Sequence, residues 1–322
     1  MLAGDLPSGA IWTERQHARR RFLKSLPDTL PGRTETVELW PFSQGEIDGE
    51  ADHFVDGVFR DGAALSYQSS VSRRDYAERI VRGGFPEAVR RPDNRRREHF
   101  FDSYVSDLIA RDVSQLSEIE RPAQIRALLR LIAARSGQLL VGNALSHAAG
   151  ISTVTTHRYI SLLEEIFLIK RIPAWSRNLS SRATGTPKVA FIDSGIAANL
   201  LGADARNLIR PGGQLGPLLE GCVLMELARQ LTWSRQRAEL FHYRTKDSVE
   251  VDAVLENRQG QVVAIEIKAA TTVRAEDSRG LRHLSVRLGD DFLAGIVLYT
   301  GSQTLPFGPR LRAVPVSALW SR

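Results

Sequence analysis

The residues best suited to chemistry lie in one stretch, VEVDAVLENRQGQVVAIEIKAATT, at positions 249–272. Two strand-like aliphatic runs flank a polar turn, and each run holds charge: Asp252 in the first, Glu266 and Lys268 in the second. Gly260 suits the left-handed position of a three-residue hairpin loop over 258–260, with Asn257 opposite Gln261. Counting outward from that turn sets Asp252 opposite Glu266, and the side-chain period of two puts Lys268 on the face of Glu266. Two carboxylates held close among Val251, Ile265 and Ile267 repel one another, which costs stability unless a cation or a bound proton intervenes. A hard divalent ion, Mg2+ first among them, is satisfied by one or two carboxylates plus water and phosphate oxygens. Lys268 could then orient or help deprotonate an attacking water while the metal offsets charge developing on a phosphate. That is the chemistry of phosphodiester hydrolysis. The structural alternative is a cross-strand salt bridge on a half-exposed sheet.

The elements around the hairpin follow from periodicity. LLEGCVLMELARQLTW (218–233) is a strongly apolar helix that carries Glu220 near its start. HYRT (242–245) supplies His242 and Arg244, either of which could contact phosphate or serve the fold. A polar helical segment (274–288), a buried-type strand (294–301), and a last strand with a short helix (311–320) complete an α/β pattern from about residue 216 onward.

Upstream, apolar spacing predicts two or three amphipathic helices between about 95 and 135. Residues 136–175 then predict a short helix near 141–149, a turn at Gly150 and a longer helix N-capped by Ser152. A strand-like pair follows, within FLIKRIPAW (167–175) and PKVAFID (187–193). Helix, glycine turn, helix and β-ribbon is the order of a winged helix-turn-helix, here over about 123–192. In that reading Thr153, Thr155, Thr156, His157 and Arg158 begin the second helix and face phosphates and bases. The alternative is a unit used only for packing or protein contacts. Residues 33–43 read as a short strand ended by Pro41, 44–70 as loop with one or two helical turns, and 1–32 as lacking independent structure.

Composition narrows the classes. The chain has 322 residues, 43% hydrophobic and 25% charged, enough for two domains with cores of their own. No run approaches the ~18 apolar residues of a membrane helix, and the start lacks signal-peptide order, so a cytoplasmic protein is expected. The single cysteine, Cys222, excludes an internal disulfide and a cysteine-based zinc site, and reads as a small hydrophobe. The net charge of +6 and pI of about 9.7 permit a polyanionic partner. Arginines cluster at 15–21, 72–82 and 89–98, where solvated helix faces and nucleic-acid contacts are both consistent.

Asp252, a dozen residues, then Glu266-x-Lys268, preceded by a helix with Glu220, resembles the PD-(D/E)xK nuclease superfamily. The resemblance implies Asp252, Glu266 and Glu220 as metal ligands, with all three and Lys268 in the catalytic set. More widely, GRTETVELWPFSQGEI, GGFPEAV, YVSDLIARDV, TTHRYISLLEEIFLIKRIPAW, KVAFIDSGIAANLL and LLEGCVLMEL resemble the prokaryotic AAA+-type ATP-binding proteins of unknown function, from about Gly32 to the end. That family implies a P-loop ATPase module, a winged-helix region and a nuclease-like domain. The expected organisation is thus a truncated remnant of the ATPase module at 1–70, a helical region with the winged helix at 71–200, and a restriction-endonuclease-like α/β domain at 201–322. The chain departs from the family at its front, where no G-x-x-x-x-G-K-[ST] occurs. ATP is therefore not expected to bind or be hydrolysed by this chain alone. The expected function is nucleic-acid-associated, with Mg2+-dependent DNA hydrolysis open. The alternatives are a non-enzymatic DNA-binding or regulatory protein, a homo-oligomer, or a partner subunit of an intact ATPase relative.

Overall fold

The computed structural model describes residues 38–110 and 122–321. The basic run at 15–21 and the supposed start of the ATPase remnant lie outside these residues. Residues 38–43 form no strand. They instead lead into α1 (Gln44–Asp48), opened by a capping box in which Ser43 and Glu46 satisfy each other's backbone N–H groups. After α2 (Phe54–Asp61), α3 (Arg73–Arg82) and α4 (Pro86–Val89) come the longer α5 (Asn94–Leu108) and α6 (Pro122–Ala133). Residues 44–70 thus hold more helix than their polarity suggests.

The predicted helix–glycine–helix segment is present. α7 (Gly142–Ala149) ends at Gly150, whose φ of 64° places it in the left-handed region. α8 (Thr153–Glu165) begins at Ser152, whose hydroxyl accepts from Thr155 N at 3.0 Å. β1 (Ile169–Ile172) then pairs antiparallel, across the short α9 (Leu179–Thr184), with β2 (Lys188–Phe191). The other side of β2 is also held: Gly137 N donates to Val189 O and Val189 N to Gln138 O.

Two short helices, α10 (Ser194–Leu200) and α11 (Ala205–Leu208), precede α12 (Leu215–Gln230). α12 is buried on nearly every side because it lies between β2, the upstream helices and the sheet that follows. That sheet contains β3 (Ala238–Arg244), β4 (Glu250–Asn257), β5 (Val262–Lys268), β6 (Phe292–Tyr299), β7 (Leu305–Gly308) and β8 (Leu311–Pro315), in the order β3-β4-β5-β6-β8-β7. The first three strands are antiparallel, whereas β5, β6 and β8 run parallel. α13 (Arg279–Leu288) makes the crossover from β5 to β6.

One face of the sheet, including Ala253, Leu255, Ile265 and Ile296, joins α12 and the upstream helices in a single apolar core running from Phe54 to Trp320. The other face, including Val254, Ala264 and Val297, packs on Leu281 and Leu284 of α13. Cys222 is buried in the first core, where burial pushes its thiol up to about 12, as expected of an inert small hydrophobe. No helix among the described residues is long and apolar enough to cross a membrane.

Candidate functional site

The β4–β5 turn forms as its residues dictate. Gly260 has φ 77°, Asn257 N donates to Gln261 O at 3.0 Å, and the Asn257 side chain accepts from Gln259 N and Gln261 N. The register pairs Ala253 with Ile265 and Glu256 with Val262, so by continuation Asp252 stands across from Glu266. Beyond the Ala253–Ile265 pair, Asp252 Oδ2 takes the backbone N–H of Ile267 at 2.9 Å. Lys268 Nζ donates to Glu266 Oε1 at 2.8 Å and reaches Asp277 at 3.9 Å.

Glu220 comes to the same place from α12. The link is a residue the motif does not contain: Lys188 Nζ donates to Glu220 Oε1 at 2.5 Å and to Asp252 Oδ1 at 2.9 Å. Lys188 is 4% exposed, on a strand whose residues are all buried. The sequence carried a faint signal for it, a charge at the head of the apolar run VAFI (189–192). Gly137, with φ 84°, leaves room for Glu220; a Cβ there would meet the Glu220 side chain at 2.8–3.0 Å.

Three carboxylates therefore face two ammoniums. Burial, then repulsion from Asp252, pushes Glu220 up to about 8 and Glu266 up to about 7. Burial works against the charge on Lys188, but Asp252 and Glu220 outweigh it and hold Lys188 above the usual lysine range. Lys268 is raised in the same manner, chiefly by Glu266. One negative charge is in excess, and a proton on Glu220 or Glu266, or an added cation, balances it.

A hard cation fits this donor set chemically. Glu266 Oε2 is buried and lacks a hydrogen-bond partner, and Asp252 and Glu266 are anchored on adjacent strands. Among the described residues, however, no group of three or more His, Cys, Asp or Glu side chains is already arranged to hold a metal ion. Between Glu220 and Asp252 the cation is the Lys188 ammonium.

The remaining predicted residues divide. Thr153, His157 and Arg158 are exposed on α8, and Thr155 is half-buried with its hydroxyl against Ser152. Thr156 is different: it is buried, and its hydroxyl donates to Ser152 O at 3.0 Å, so it supports the helix and does not face outward. Arg244 is partly exposed at the sheet edge and paired with Glu250. His242 is buried; its Nε2 meets Thr186 O at 3.0 Å, and burial lowers the ring to about 4, which keeps it neutral and structural.

Several arginines of the upstream clusters have protein partners: Arg79 with Asp48, Arg74 with Glu78, Arg96 with Asp93, and Arg91 over the ring of Phe100. The β1–β2 connection is likewise engaged. Trp175 N donates to His242 O, His242 N donates to Pro173 O, and Arg182 pairs with Glu256 while lying over Phe241. The part of a winged helix that would be its wing thus lies along the edge of the C-terminal sheet.

Two family models match the chain. Residues 73–207 match a family model described as a domain of unknown function (DUF8612), and residues 215–319 match another domain of unknown function (DUF4143). The second match contains Glu220, Asp252, Glu266 and Lys268, whereas Lys188 lies in the first. Similar curated proteins are the uncharacterized proteins Mb2031c of Mycobacterium bovis and Rv2008c of Mycobacterium tuberculosis, each 29% identical over 293 residues, 91% of this chain. The aligned part covers 59% of the length of each of these relatives. No solved structure matches.

Proposed function

We propose that the C-terminal α/β unit is a divalent-metal-dependent phosphodiesterase that acts on DNA, in a protein derived from the AAA+-type ATP-binding proteins it resembles. The convergence of Asp252 and the Glu266–Lys268 pair on adjacent strands with Glu220 from the preceding helix carries this reading. Asp252 and Glu266 would hold Mg2+, with Glu220 completing the set. The ion, when bound, would supply charge to offset that developing on the phosphate. Lys268 is the most exposed of the five charged groups, at 32% for its side chain, which favours it as the group that would meet substrate. As an ammonium paired with Glu266, it would orient the attacking water and a phosphate oxygen rather than remove the proton. Exposed Thr153, His157 and Arg158 on α8 would add contacts to the DNA backbone or bases.

A second reading is favoured by one observation, the occupation of the space between Glu220 and Asp252 by Lys188. In that reading the acidic cluster is a closed ion network, and the protein binds DNA, or an intact ATPase relative, or a second copy of itself, without cutting.

The deciding experiment measures Mg2+ and Mn2+ binding by calorimetry for the wild type, Asp252→Ala and Asp252→Asn, with plasmid and single-stranded DNA cleavage assayed on the same samples. Cleavage by the wild type that disappears in both variants supports the hydrolase. DNA binding without metal dependence or cleavage, in the wild type and after Lys188→Met alike, supports the closed network.

A further inference from the structure

We propose that Lys188 is a built-in lock on the acidic site: its ammonium stands where a divalent ion would bridge Glu220 and Asp252, so the site accepts metal only when β2 moves away. This rests on the reading of Glu220, Asp252 and Glu266 as metal ligands. The lock comes from a different part of the chain than the site it closes. Lys188 sits on β2, while its two acceptors sit on α12 and β4.

The strand that carries the ammonium is held along both of its edges. Lys188 pairs with Ile172 on one side and with Leu139 on the other, and Leu140 N donates to Pro187 O at 2.8 Å. Its side chain is 5% exposed and crosses from β2 directly into the cluster. A divalent ion shared by Glu220 and Asp252 would compete for the two carboxylates that the ammonium already holds. Two cations a few ångströms apart in a buried space repel strongly, so they exclude one another.

The strand carrying the lock is tied to the separate C-terminal sheet by the connection before it. Pro173 and Trp175 hydrogen-bond His242 on β3, and Arg182 pairs with Glu256 on β4. Release of that connection and entry of metal are therefore coupled events. Whatever lifts the ribbon from the sheet edge also uncovers the carboxylates, and metal bound to the carboxylates weakens the ribbon's hold by the same free energy.

The test is a calorimetric Mn2+ titration of the wild-type chain, Lys188→Met and Lys188→Gln, with thermal melting of each in the presence and absence of Mn2+. Both variants should bind Mn2+ at least about tenfold more tightly than the wild type, and Mn2+ should raise their melting temperatures while leaving the wild type unmoved. If Lys188→Met does not fold, Lys188→Gln, whose neutral amide keeps a hydrogen-bond donor for the carboxylates, carries the comparison. Equal affinity in all three, or weaker binding once Lys188 is gone, overturns the lock. Tighter Mn2+ binding by the variants without DNA cleavage keeps the lock and removes the hydrolase reading. Tight binding and cleavage by the wild type remove the lock and keep the hydrolase.

Discussion

The backbone N–H of Ile267 donates to Asp252 Oδ2 at 2.9 Å, across the two strands that carry the acidic residues. Asp252 is therefore part of the strand pairing as well as of the charged cluster, because its other oxygen takes Lys188. Asp252→Ala removes both acceptors and leaves a buried ammonium with one partner. It should cost about 3 kcal/mol in urea unfolding, and Asp252→Asn, which keeps an acceptor for Ile267, clearly less. Equal losses in the two variants would show that Asp252 is not built into the strand pair.

Gly137 and Gly150 both have positive φ, 84° and 64°, but differ in surroundings. A Cβ at Gly150 meets open space, whereas one at Gly137 meets Glu220 at 2.8 Å. Gly150→Ala should cost about 1 kcal/mol, the backbone part alone. Gly137→Ala should cost about 2–3 kcal/mol, since it adds the displacement of Glu220. Chemical denaturation of the two variants side by side checks the order.

Arg229 and Glu226 form a fully buried pair, with Arg229 also donating to Ile192 O and Glu226 accepting from Gln44 N at 3.0 Å. The pair ties α12 both to the strand end at Ile192 and to α1. Arg229→Ala leaves an uncompensated charge there and should lose about 3–5 kcal/mol, enough to unfold a marginal domain at room temperature. Thermal melting gives the answer directly.

Burial pushes Asp52 up to about 6, against the opposing hydrogen bond from Ser43, and its Oδ1 has no partner. A carboxyl raised above its unfolded value of 3.8 stabilises the fold most below that value, and the contribution is lost as pH rises through about 6. The wild type should therefore lose stability relative to Asp52→Asn between about pH 4 and pH 7, by an amount on the order of 2 kcal/mol. A pH-independent difference between their unfolding curves would contradict the assignment.

On α8 the outward and inward residues should separate by readout. Arg158→Ala should weaken DNA binding uniformly across sequences and reduce the salt slope by about one. Thr156→Ala should leave the slope unchanged and lower stability by about 1 kcal/mol, through loss of its bond to Ser152 O. Filter binding over a salt series, with melting curves on the same samples, distinguishes the two.

What the sequence revealed depended on the range of the interaction. The β4–β5 turn was legible because Asn257 and Gly260 specify it within five residues, and its register then fixed Asp252 against Glu266. Gly150 and Ser152 specified the turn between α7 and α8 in the same local manner. Lys188 was not legible from any motif because its partners lie 32 and 64 residues away. α1 is one of the helical turns expected within 44–70; Ser43-Gln44-Gly45-Glu46 spells its capping box, while Gly45 lowers the helical signal of so short a segment. The strand expected up to Pro41 does not form over the residues described, where Phe42 N finds Gly84 O in a loop contact.

The docking of Pro173 and Trp175 along β3 has a consequence for solubility. β3 is the outermost strand of the sheet, and its free row of backbone groups would invite pairing with another chain. The upstream ribbon satisfies part of that row through His242, so the C-terminal half relies on its neighbour to blunt a sticky border. Cut free at the boundary between the two family matches, it would carry that border uncovered, which makes the two halves poor candidates for exchange as independent modules.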